Sequence, residues 1–84
     1  MEDIDDLRRK IDIIDKKIVI LINERAMISK VIGTLKNKKK IAVIQKDREK
    51  IVYEKVENQS KIVSRTDISK IWKIIIEVCR KIQI

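Results

Sequence analysis

From Ile4 to Lys36 the sequence places apolar residues at alternating steps of three and four: Ile4, Leu7, Ile11, Ile14, Ile18, Leu21, Ile28, Ile32 and Leu35. That spacing belongs to a helix packed along one seam. Such a helix is about 50 Å long at 1.5 Å per residue. The chain has 84 residues, and a compact globule of that size measures only about 30 Å across. The helix therefore overshoots its own domain, and its ends need a partner. Ile18, Val19, Ile20, Leu21 and Ile22 are apolar on every side, which suits a helix surrounded by others. Both features predict a homodimer.

One seam position breaks the pattern. Between Leu21 and Ile28 the expected apolar residue is Arg25. A guanidinium in an apolar seam carries a large desolvation penalty unless an anion meets it. An ion pair with an acid of another helix is the ordinary solution. Lys36 points to a different one. It lies close to three helical turns beyond Arg25, on nearly the same face and about 16 Å further along. Two cations at that spacing can hold a small dianion between them.

Composition narrows the classes. Charged residues make up 40% of the chain, with one Gly, no Pro and no Phe, and the helical periodicity runs throughout. An all-α fold follows, as one domain spanning residues 1–84. The net charge is +8, densest at Lys38, Lys39 and Lys40. Such a run is either a solvated loop or a device for steering anions. Nucleic acid is disfavoured as a partner, because acids are interspersed along every helix and one Trp and one Tyr offer little stacking. No apolar run reaches membrane-spanning length, and the acidic start Met-Glu-Asp-Ile-Asp-Asp has no signal-like apolar region. Cys79 is the single cysteine and His is absent, so neither a disulfide framework nor metal catalysis is expected. These features predict a cytoplasmic protein without metal or membrane partner.

Three helices are legible along the chain. The first starts near Asp3 to Asp6, whose carboxylates suit the positive end of the helix dipole, and ends near Lys36 or Asn37. Gly33 sits inside it, where Gly costs about 1 kcal/mol against Ala; its use is close approach of another backbone or of a ligand. Lys38 to Gln45 is a connection in which Ile41 and Val43 tuck inward. A second, short helix runs from Asp47 to about Asn58. Ser64 and Asp67 resemble a capping box that opens a third helix. Its inward face is expected to carry Ile68, Ile71, Trp72, Ile75, Val78 or Cys79, and Ile82. Cys79 and Gln83, four apart, share one face.

The candidate functional residues are Arg8, Arg25, Lys36, Arg48, Glu49, Cys79 and Gln83. Arg8 and Arg25 lie about 25 Å apart along one helix, so they cannot reach one small ligand from the same chain. In an antiparallel dimer, Arg8 of one protomer can approach Arg25 of the other. No nucleophile–base pair is present. Fixed positive charges plus a neutral amide suit chemistry that needs orientation and charge stabilisation alone.

Several segments together resemble a known family. Leu-Arg-Arg-Lys-Ile-Asp-Ile-Ile-Asp from Leu7, Asn-Glu-Arg ending at Arg25, Gly33, Lys36, Asp-Arg-Glu at Asp47 to Glu49, and the closing Ile-Ile-Glu-Val-Cys-Arg-Lys-Ile-Gln are similar to the all-helical (AroQ-type) chorismate mutases. The resemblance covers nearly the whole chain, with the pieces in the family's order and spacing. It implies three helices per chain, two chains intertwined as a six-helix homodimer, and two active sites. It also implies the rearrangement of chorismate to prephenate in aromatic amino-acid biosynthesis, without cofactor or covalent intermediate. The dianionic substrate would meet Arg25 and, in trans, the partner's Arg8 through its carboxylates. Lys36 would bind a carboxylate and the ether oxygen, and Gln83 that oxygen from the other side. Glu49 would take the ring hydroxyl, with Arg48 beside it. Gln45 stands where many members carry Asp. Cys79 stands where Ser or another small donor is usual, and a thiol is a poor donor. Gln83 lies in a last turn expected to fray easily. Two alternatives remain open: an isochorismate-pyruvate lyase of the same fold, and a non-enzymatic basic helical dimer that uses Arg25 as an ion-pair register device.

Overall fold

A computed structural model describes residues 1–84 and contains three helices and no strand: α1 (Ile4–Lys39), α2 (Lys46–Gln59) and α3 (Arg65–Ile82). The all-α expectation holds. Asp3 caps α1 with a full capping box, accepting from the Asp6 amide while the Asp6 carboxylate accepts from its own. Two orphan donors are thus satisfied at the helix start. α1 runs a turn beyond its expected end and closes at Lys40, whose left-handed backbone (φ 57°, ψ 37°) points its amide at the Lys36 and Asn37 carbonyls. That reversal brings the connection to α2 back alongside α1. Val43 is half-buried there, whereas Ile41, expected to tuck inward as well, is exposed. At α3 only half of the expected capping box forms. The Ser64 side chain accepts from the Asp67 amide, with no return bond.

α3 is the central element, packing against both α1 and α2, which do not pack on each other. α2 and α3 form an antiparallel hairpin. Near its turn, Ser69 donates to Glu57 and Arg65 donates to Asn58 at 3.1 Å. Near its open end, Arg80 reaches Glu49. The molecule measures 57 × 23 × 14 Å with a radius of gyration of 16.1 Å. A compact chain of this length would have a radius near about 12 Å. α1 sets the long dimension and most of it stands clear.

Only four residues are buried, namely Ser29 and Gly33 on α1 and Ile76 and Cys79 on α3. They mark the place where α1 and α3 close on each other. The face of α1 that meets α3 is the one of Ala26, Ser29 and Gly33, lying beside the long apolar seam. The seam stays open, with Ile14 54% and Leu21 61% exposed. On α3 the inward stripe runs through Ile68, Trp72, Ile75, Ile76 and Cys79. Ile71 and Ile82, expected inward, are exposed, and of the alternatives Val78 and Cys79 it is Cys79 that faces inward. The stripe is turned toward Ile76 because small residues on α1 let the backbone of α3 come close at that point.

Candidate active site

The α1–α3 crossing and the start of α2 enclose a cavity of about 400 Å³. Of the eight residues expected in a site, it brings together seven. Arg25 and Lys36 come from α1, with Gln45, Arg48 and Glu49 from the start of α2 and Cys79 and Gln83 from the end of α3. Arg8 is elsewhere. It lies near the opposite end of α1, 72% exposed in its side chain and 3.7 Å from Asp5. Helix geometry puts it about 25 Å along the axis from Arg25, so one chain cannot assemble all eight.

Lys36 anchors the site. Its ammonium donates to the Val43 carbonyl at 2.8 Å and to Gln83 Oε1 at 3.0 Å. An ammonium has three N–H donors, so one remains uncommitted. The same contact sets the Gln83 amide. With Oε1 held by a cation, its Nε2 group makes no bond within the chain and is the free donor. Two donors of one site, a cation and a neutral amide, are thereby fixed side by side.

Gly33 makes this possible. A Cβ placed there would stand 2.6 Å from Gln83 Cα and 2.7 Å from the Gln83 carbonyl oxygen. Those are backbone atoms and cannot swing aside. The hydrogen atom of Gly33 is therefore the reason the last turn of α3 lies against α1, one helical turn from Lys36. Gln83 itself is half-buried, its backbone N–H donating back to the Arg80 carbonyl at 3.1 Å.

Arg25 makes no ion pair or hydrogen bond within the chain although it is half-buried, so the expected alternative of an intrachain partner is not realised. Arg48 is exposed at the rim. Gln45 precedes α2 with extended backbone and no capping bond from its side chain, which leaves its amide uncommitted. Cys79 is only 3% exposed and packs into the cavity wall. The lining holds four cations, Arg25, Lys36, Arg48 and Arg80, against the single acid Glu49. The site is built for an anion.

Residues 7–84 match the family profile described as chorismate mutase type II. The chain belongs to that family. It is 34% identical over 85 residues to the chorismate mutase of Methanocaldococcus jannaschii, a match covering 99% of this chain and 86% of that protein. It is 32% identical over 88 residues to the bifunctional chorismate mutase/prephenate dehydratase of Aquifex aeolicus, covering 99% of this chain and 24% of that protein. The chain thus spans about a quarter of the bifunctional relative's length. No solved structure matches it.

Two polar lining residues of this type II chorismate mutase family member were not anticipated as site residues. Ser29 is one turn beyond Arg25 on α1, and Arg80 follows Ile76 by four on α3. Ile76, Cys79, Arg80 and Gln83 follow the i, i+3, i+4, i+7 rule of one helix face. Arg80 is three residues before Gln83 and so falls on the same face, a spacing that could have found it.

Proposed function

We propose that the chain is a single-domain mutase that converts chorismate to prephenate in aromatic amino-acid biosynthesis, and that it works as an intertwined six-helix homodimer. The observation that carries this is the meeting of Arg25, Lys36 and Gln83 in one cavity of a chain of this family. The reaction is a one-step pericyclic rearrangement with no covalent intermediate and no need of a cofactor. Arg25 and the partner's Arg8 hold the two carboxylates of the dianion and draw its reacting ends together. As the C–O bond breaks, negative charge gathers on the ether oxygen. The third N–H of Lys36 and the free amide N–H of Gln83 meet it there, and donors placed at developing charge act mainly on the transition state. Glu49 accepts the ring hydroxyl. Arg48, Gln45 and Cys79 complete the wall that orients the substrate. A cytoplasmic site of action accords with one unpaired cysteine.

The dimer is supported by what α1 leaves uncovered. Antiparallel pairing of two α1 helices about a two-fold axis between Lys16 and Lys17 sets Arg8 level with the partner's Arg25 and lays the seam residues Ile14 and Leu21 against the partner's seam. Both apolar residues are more than half exposed in the lone chain. Isologous pairing of this kind buries the open seam on both copies at once.

Purified protein incubated with chorismate should consume it and release prephenate. Consumption of isochorismate to salicylate instead would assign the site to lyase chemistry, and inertness toward both would leave a non-catalytic dimer. Gly33→Ala provides a sharper check on the geometry. Ala favours helix over Gly by about 1 kcal/mol, so the helical signal should not fall. The added methyl group must nevertheless push the backbone of Gln83 away. A donor misplaced by about 1 Å can cost about 10²-fold in rate, and kcat should drop by that order with circular dichroism unchanged. Wild-type kcat in this variant would show that Gln83 does not depend on the Gly33 contact.

A further inference from the structure

Glu49 is the one acid in a cavity meant for a dianion. An unneutralised carboxylate there would repel the substrate it is proposed to orient. The structure supplies a remedy on α3, where Arg80 Nη2 donates to Glu49 Oε2 at 2.8 Å. This is the most enclosed ion pair of the chain, with the side chains 28% and 17% exposed. Every other pair has at least one partner far out in solvent. The contact also divides the labour of the carboxylate. Oε2 is taken by Arg80, whereas Oε1 has no partner within the chain and remains an acceptor. Both side chains line the same cavity as Lys36 and Gln83.

We propose that Arg80 is a positioning residue for substrate selection: it offsets the charge of Glu49 and fixes its carboxylate so that Oε1 accepts the ring hydroxyl of the substrate. This deepens the proposed mutase activity and rests on it. Arg80 does not touch the reacting atoms. It acts through Glu49, on the ring hydroxyl rather than on the ether oxygen, and so governs which ring-bearing dianions are held well. An arginine is suited to the task because its planar fork stays charged and keeps the carboxylate in one plane.

The test compares two substrates on five proteins. Chorismate and its analogue with hydrogen in place of the ring hydroxyl are assayed with wild type, Arg80→Met, Arg80→Lys and Glu49→Gln, together with the Arg80→Met/Glu49→Gln double variant. Met keeps most of the aliphatic length and removes the charge. For chorismate, Arg80→Met should raise KM about ten-fold or more, the size of one hydrogen bond to a charged acceptor, with a smaller change in kcat. The hydroxyl-free analogue is also a dianion, so the same variant should lose on it only the part due to the uncompensated Glu49 charge, a rise in KM several-fold smaller than for chorismate. Lys should restore most of the loss, and the double variant should be no worse than Glu49→Gln alone. Equal losses on both substrates, or losses that multiply in the double variant, would overturn the proposal and leave Arg80 as a staple between α2 and α3. If Arg80→Met does not fold, Arg80→Lys against Arg80→Gln reads the same substrate comparison. Wild type that leaves chorismate untouched would reject the mutase activity itself, an outcome visible before any variant is made.

Discussion

Chains carrying Arg8→Ala and chains carrying Arg25→Ala, each nearly inactive alone, are expected to recover turnover when mixed. Each variant loses one guanidinium proposed to hold a substrate carboxylate, and a single preorganised charge contact of this sort is worth about 10²–10³ in rate. Recovery follows from where the two residues lie. Arg25 lines the cavity, whereas Arg8 is exposed near the far end of the same helix. In the proposed dimer, each site takes Arg25 from one protomer and Arg8 from the other. A heterodimer of the two variants then has one site with both arginines and one with neither. After full exchange of an equal mixture, half the dimers are mixed and half their sites are intact, so about a quarter of wild-type activity should return. Subunit exchange is verified separately by pairing chains of different mass. Exchange without activity would mean that Arg8 serves its own chain or no site at all.

How far the sequence could be read depended on how unambiguous its phase was. The seam of α1 kept one phase on both sides of the all-apolar run from Ile18 to Ile22, so the length of the helix and the shared face of Arg25 and Lys36 were legible. The cavity residues at the start of α2 followed from the resemblance to the family and not from the apolar pattern. α3 was harder. Ile74, Ile75 and Ile76 are consecutive, so two apolar stripes one residue apart are equally consistent with helical periodicity. The choice is made by tertiary contacts. Gly33 admits the backbone of Gln83, and Lys36 binds its side chain. Together they turn Ile76, Cys79 and Arg80 inward and leave Ile71, Val78 and Ile82 outside. Arg80 was missed for that reason and for another. A cation four residues from the chain's last isoleucine looks like an ordinary dipole-compensating residue in a final turn, and its partner Glu49 is on another helix. The use of Gly33 was anticipated as a close approach, but nothing local named Gln83 as the group approaching.

The Gln83→Glu variant should be nearly inactive at pH 7 and recover as the pH falls toward about 5, where a carboxyl group begins to hold its proton. As an amide, Gln83 offers an N–H to the ether oxygen at any ordinary pH. A glutamate donates only when protonated, and an unperturbed one titrates near about 4.3. At neutral pH it would aim a negative charge at an oxygen that is itself becoming negative. Removal of one such donor typically costs about 10²–10³ in rate, and repulsion adds to that. The structure identifies a second loss. Lys36 already donates to the side-chain oxygen at position 83 at 3.0 Å, and an ionised carboxylate there would draw the ammonium more strongly. Both donors proposed for the ether oxygen would then be occupied with each other. Protonation reverses both effects, since the carboxylic acid regains an O–H to donate and loosens its hold on Lys36. Lys36 and the arginines favour the ionised form of the new glutamate, whereas the bound dianion and partial burial favour the protonated one. Recovery should therefore be stronger at saturating chorismate, where the substrate's own charge helps to raise the proton affinity of Glu at this position. Wild type, with an amide at 83, should show no such acid recovery over the same range. A variant profile that is flat and close to wild type would show that the side chain at 83 never reaches the breaking bond.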